Sequence, residues 1–242
     1  MHRSPGKTDS NPSKSPYTDI LQRMETRISD WKSREDQRHV FLSCYRLMTG
    51  NMLEAIDRGG FQDRRWVSDL LHHFADYYFD ALTCFECGDR VPLVWQQVHL
   101  LTTRQPLHRL QFLLLGINAH INYDLVLTLY DMLAPEWSDL SESQQEKRYA
   151  DHCQVNTIIA DTIDQVQDDI LERDDRFMAL IDRAFGRLDE YLLSRLIRNW
   201  RQGVWEEAQR MLAAKDARQR EHLRGAIEAE VMRRAKLLAF HH

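Results

Sequence analysis

The sequence predicts an all-α fold, a multi-helix bundle-like single domain around one buried helix. Three observations carry this. Nine Gly and six Pro stand in 242 residues, about 6% against the roughly 12% of average usage, so the tight turns of an all-β chain are missing. From Tyr17 onward apolar residues recur with helical period and nowhere alternate over a useful length. One segment, about 106–133, is apolar on nearly all sides, the mark of a helix enclosed by others. A chain of this size can bury about 70% of its unfolded surface and needs no disulfide or structural metal to fold.

Residues 1–16, rich in Ser, Pro, Lys and Asn, read as a disordered arm. Residues 17–172 read as the helical core domain. A first helix of about 15 residues runs toward Trp31, and a second covers about Asp36 to Arg58, stopped by Gly59 and Gly60. Asp63 caps a third that ends near Cys87, before Gly88. Pro92 opens a short fourth, to about Thr103. The fifth is the apolar helix from Pro106 to Leu133. A sixth starts at Ser141 with Gln144 three residues on, a capping-box pattern, and reaches about Leu171. Residues 173–242 read as two charged amphipathic helices, about Asp174 to Trp200 and Val204 to Leu238, separated at Gly203 and packed on the core or in an oligomer.

Polar residues interrupt the apolar faces. At about 100° per residue, Leu113, Ile117, His120, Asp124 and Asp131 share one stripe of the fifth helix. Asn118 and Asn122 lie on the opposite side. His152 and Asn156 fall on the sixth helix's core stripe with Val155, Ile159 and Ile163. Arg38, Tyr45 and Thr49 do the same on the second, among Phe41, Met48, Met52 and Ile56. A buried polar group without a partner costs about 1 to 3 kcal/mol, so these belts must be paired or must hold something.

Two imidazoles and a carboxylate from facing helices suit a divalent metal, zinc or iron, with His120, Asp124 and His152 as ligands. Such an ion activates bound water for hydrolysis. Tyr45 and Asp124 are then the catalytic pair, with Arg38, Asn122 and Asn156 binding a small-molecule substrate. The reading is an enzyme with a buried polar pocket, a metal-assisted hydrolase. The alternative is a non-catalytic helical protein that binds a ligand or self-associates, its polar belt only specifying packing.

Other constellations weigh less. His72 and Asp76 project away from the third helix's core, and His73 sits at its border near Asp69 and Asp80. Asp161, Asp164, Asp168, Asp169, Asp174 and Asp175 resemble the aspartate clusters of isoprenoid synthases but fall on a solvated face. Cys84 and Cys87 form a lone C-x-x-C and read, with Cys44 and Cys153, as free thiols. Neither a P-loop nor a dinucleotide or serine-hydrolase motif is present. The net charge of -5, from 32 basic and 37 acidic residues, argues against nucleic acid. No uninterrupted apolar run approaches the roughly 18 residues of a membrane span. The N-terminus lacks an export signal and the cysteines are few, so the expected compartment is cytoplasmic. A homodimer through the C-terminal helices is the expected partner arrangement.

The segment Leu114-Leu115-Gly116-Ile117-Asn118-Ala119-His120-Ile121-Asn122-Tyr123-Asp124-Leu125 resembles the signature L-G-[IM]-N-A-H-I-N-x-D-L of a bacterial all-helical family known as a domain of unknown function. Asp36, Arg38, Phe41, Tyr45 and Thr49 look similar too, as do Phe61, Asp63 and Trp66, Phe74 and Tyr78, Pro92 with Trp95, and Asp151 with Val155 and Asn156. The resemblance covers about residues 20–170. It implies that Arg38, Tyr45, His120, Asn122 and Asp124 belong to the family pattern, and it implies no activity.

Overall fold

The computed structural model describes residues 16–104, 107–166 and 190–239. Eight helices make up this part: α1 (Pro16–Ser33), α2 (Arg38–Asp57), α3 (Arg64–Cys87), α4 (Leu93–Arg104), α5 (Arg109–Leu133), α6 (Glu142–Val166), α7 (Glu190–Leu212) and α8 (Ala217–Leu238). No strand occurs among the described residues. The arm to residue 15, the segment around Asp168 to Asp175 and the start of the helix expected from Asp174 lie outside them.

Local chemistry sets several boundaries as the sequence suggests. The Asp63 carboxylate accepts the Trp66 N–H at the start of α3, satisfying one of the orphan donors of a helix N-terminus. Gly88 ends α3 in the left-handed region, at φ 74°, where a side chain is strained. Ser141 N–H donates to Gln144 Oε1 at 2.8 Å, closing half of the expected capping box before α6. On α1, Ile20, Met24, Ile28 and Trp31 are buried at helical spacing.

The C-terminal break lies elsewhere than expected. Helix α7 runs straight through Gly203 and ends at Leu212. The turn follows at Ala213 to Asp216, where Asp216 accepts the Gln219 N–H and Gln219 Oε1 accepts the Lys215 N–H. Gly inside a helix costs only about 1 kcal/mol relative to Ala. Val204, Trp205, Ala208 and Met211, all buried, carry the packing across it.

Helix α5 is the centre, packed by α2, α4, α7 and α8. By length and composition it is apolar enough to cross a membrane, but 83% of its most apolar stretch is buried here by the rest of the chain. Two details fix its position. A Cβ at Gly116 would overlap the Phe41 ring of α2, so only glycine allows the two helices to approach this closely. Asn118 Nδ2 donates to the Val231 carbonyl of α8 at 3.0 Å, and its side-chain oxygen accepts from Asn122 Nδ2 at 3.1 Å.

Between His120 and Asp124 the helix widens to a π-turn, with Leu125 N–H bonded to the His120 carbonyl. The extra residue rotates the second half of α5 by about 100° relative to an uninterrupted α-helix. Asp131, placed by uniform helical spacing on the stripe of His120 and Asp124, is therefore exposed.

Candidate functional site

The site is assembled by four helices around the π-turn. His120 and Asp124 are 3% and 1% exposed. His120 Nδ1 lies 2.9 Å from Asp124 Oδ2. From α4, Trp95 Nε1 donates to both carboxyl oxygens of Asp124, at 3.0 and 2.9 Å. Aromatic rings enclose the imidazole. Phe74 of α3 stacks on it at 3.7 Å and 8°, Tyr45 of α2 stands at 4.4 Å and 66°, and Phe41 meets it edge-on at 5.9 Å. Phe74 is itself only half-buried.

Two polar atoms here have no partner: His120 Nε2 and the Tyr45 hydroxyl, both fully buried. Burial pushes the His120 imidazole well below its ordinary range. It pushes the Asp124 carboxyl well above the carboxylate range, against the opposing pull of the Trp95 N–H. Burial, reinforced by the Asp124 charge, raises the Tyr45 phenol as well. All three groups therefore favour their uncharged forms.

The remaining expected site residues are placed elsewhere. The three expected metal ligands do not meet. His152 is bonded through Nε2 to the Arg201 carbonyl at 3.0 Å and through Nδ1 to Arg201 Nη2 at 3.3 Å. No group of three His, Cys, Asp or Glu side chains able to hold a metal forms among the described residues. Arg38 does not reach the pair: its fork is spent on Asp36, at 2.6 to 3.1 Å, with Glu86 at 3.6 Å and the Trp31 ring beneath it. Asn122 is tied to Asn118 on the α8 side. Asn156 Oδ1 accepts from Arg201 Nε. His73 and Tyr77 both meet Asp131 at the surface, Tyr77 through a 2.6 Å hydrogen bond.

Sequence spacing missed Trp95, Phe74 and Arg201 as members of polar clusters. Trp95 and Phe74 belong to the stretches that resemble the family, which is the signal that marks them. Arg201 lies beyond that resemblance and looks like one charge among many on an amphipathic helix. Asp151 has an architectural role: it is 2% exposed, and its two oxygens accept the N–H groups of Gln62 and Asp63 at 2.7 and 2.8 Å. It thereby holds the loop that leads into α3.

Fold and site together define an all-helical protein with a buried imidazole–carboxyl pair on a π-turn, caged by aromatic rings. The chain belongs to DUF5995, a family of unknown function, whose profile matches residues 17–240. That match continues through α7 and α8, well beyond the end near residue 170 expected from the signature stretches. No curated protein and no solved structure matches the chain.

Proposed function

We propose that the protein is an enzyme that moves a proton through His120, on a small uncharged substrate, in a hydrolytic reaction. The observation that carries this reading is the asymmetry of the imidazole. Nδ1 is fixed by Asp124, whereas Nε2 is buried without a partner, and the Tyr45 ring stands 4.4 Å from the imidazole.

With both members uncharged, the Asp124 O–H faces Nδ1 and the imidazole carries its proton on Nε2. As Nε2–H protonates a leaving group, the Asp124 proton moves to Nδ1. The carboxylate left behind is held by Nδ1–H and by the Trp95 indole. No imidazolium forms at any stage, which suits a cage where a lone cation would be costly. The reverse transfers let Nε2 accept a proton from water and restore the pair. Tyr45, kept as a neutral phenol, orients the reacting group by hydrogen bonding. Entry needs displacement of the half-buried Phe74 ring.

The competing reading, a polar layer that only specifies packing, draws on the close stacking of Phe74 over His120. The two separate in one comparison. Wild type, His120→Gln and Tyr45→Phe are incubated with a small-metabolite extract, and compound consumption is followed by mass spectrometry. Depletion of a compound by wild type, slowed by Tyr45→Phe and abolished by His120→Gln with helicity retained, is the expected result. Identical profiles for wild type and His120→Gln would favour the packing layer.

A further inference from the structure

The five rings around the His120 imidazole are not equivalent. Phe41, Tyr45, Tyr78 and Trp95 meet it at interplanar angles of 59° to 81°, and all four are buried. Phe74 lies parallel to it, at 3.7 Å between centroids and 8° between planes, and is only half-buried. The ring that covers the imidazole face is therefore also the least enclosed of the five. A rotamer change at a partly exposed side chain needs no backbone movement and is fast.

Two polar atoms of this cage lack a partner. His120 and Tyr45 are 3% and 6% exposed, and neither His120 Nε2 nor the Tyr45 hydroxyl is hydrogen-bonded. Buried polar groups in folded chains are nearly always paired, and an unpaired one marks strain, catalysis or a missing ligand. With Phe74 turned away, the flat face of His120 is uncovered beside the Tyr45 ring, which stands 6.1 Å from that of Phe74 at 67°. A flat ring lays all its atoms against such a face, and aromatic pairs gain more than area burial alone gives. A puckered saturated ring touches with about half of them. The side-chain hydrogen bonds of Asp124 run to His120 and Trp95, so a charged ring would find no counter-charge there.

We propose that Phe74 holds the place of a ligand's ring: the site takes a small uncharged molecule whose planar aromatic ring displaces Phe74 and stacks on His120. This rests on the proton-transfer reading of His120 and names its substrate class.

The test titrates full-length wild type and Phe74→Ala with benzyl alcohol, with its saturated counterpart cyclohexylmethanol, and with benzoate. The carbon-bound ring protons of His120 are followed by NMR. Benzyl alcohol should shift them saturably in both proteins, with about tenfold higher affinity or more in Phe74→Ala, where no ring has to be displaced. Cyclohexylmethanol should bind about threefold or more weakly in each, for want of a stacking face, and benzoate more weakly still. Phe74→Leu keeps an aliphatic side chain in the cage; it should lie between the two proteins and serves if the alanine variant does not fold. Unmoved His120 resonances in wild type, a response confined to the Phe74 variants, or equal affinity for the two alcohols would overturn the proposal. Saturable binding of benzyl alcohol without turnover of any compound would keep it and remove the catalytic reading. Consumption of non-aromatic compounds alone would do the reverse.

Discussion

A single indole N–H, that of Trp95, lies within 3.0 Å of both carboxyl oxygens of Asp124. It joins α4 to the π-turn of α5 and restrains the carboxyl group together with His120. Trp95→Phe keeps an aromatic ring in the cage and removes the donor. Stability should fall by about 1 to 3 kcal/mol, the cost of stripping a buried acceptor of its partner. The Asp124 titration should move further upward, since the indole bond pulls it down. Urea unfolding reads the first effect and carboxyl-carbon chemical shift the second. A loss below about 0.5 kcal/mol would mean that the contact contributes no more than an ordinary surface group.

The pair gives stability a defined pH profile. In the unfolded chain His120 and Asp124 titrate near 6.5 and 3.8. In the fold His120 is depressed and Asp124 is raised. Below 3.8 the unfolded pair holds two titratable protons and the folded pair one, so stability rises with pH. Between 3.8 and 6.5 both states hold one, and the contribution is flat. Above 6.5 the unfolded pair holds none, so wherever the raised Asp124 carboxyl is still protonated in the fold the folded state holds the extra proton. Stability therefore falls by up to about 1.4 kcal/mol per pH unit, until the folded carboxyl ionises. Subtracting the profile of a His120→Leu/Asp124→Leu double variant isolates this shape. Other buried imidazoles cancel in that difference, including His99, which burial pushes down to about 3. A contribution that keeps rising above pH 6.5 would contradict the assignment of Asp124 as the protonated member.

Asp151 should behave as a structural carboxylate. Asn at this position offers one acceptor where two N–H groups, those of Gln62 and Asp63, now point. Its amide nitrogen would meet the other donor. Asp151→Asn should cost about 1 to 3 kcal/mol. It should also speed amide hydrogen exchange at Gln62 and Asp63 before exchange elsewhere in α3 is affected. Uniform acceleration along α3 would instead indicate a global loss.

Some of this architecture is legible without coordinates. The Asp63 cap, the Gly88 stop and the Ser141 capping box are local chemistry, and helical periodicity places His120 and Asp124 inward because both precede the end of the π-turn. Asp131 escapes the same arithmetic because an inserted residue breaks uniform rotation, and nothing in the composition of His120–Asp124 announces a π-turn. The proposed ligand set fails at His152 for a related reason. Periodicity states which face a side chain occupies and leaves open which neighbour it meets there, and Arg201 comes from a helix whose surface reads as solvated. At the C-terminus the break is expected at Gly203 and lies instead at the turn before Asp216, whose carboxylate accepts the Gln219 N–H.

Two glycine-to-alanine changes should move stability in opposite directions. In an exposed helix interior, alanine is favoured over glycine by about 1 kcal/mol because it restricts the unfolded chain. Gly203 in α7 has open space where a Cβ would go, so Gly203→Ala should stabilise by about 0.5 to 1 kcal/mol. A Cβ at Gly116 would overlap the Phe41 ring. Gly116→Ala should therefore destabilise, by about 1 to 3 kcal/mol, despite the same favourable propensity. Shrinking the opposing ring tests the cause. In a Phe41→Leu background the cost of Gly116→Ala should shrink by about 1 kcal/mol or more, a coupling that double-mutant unfolding measures directly. Strict additivity of the two substitutions would show that ring contact is not what keeps glycine at this position.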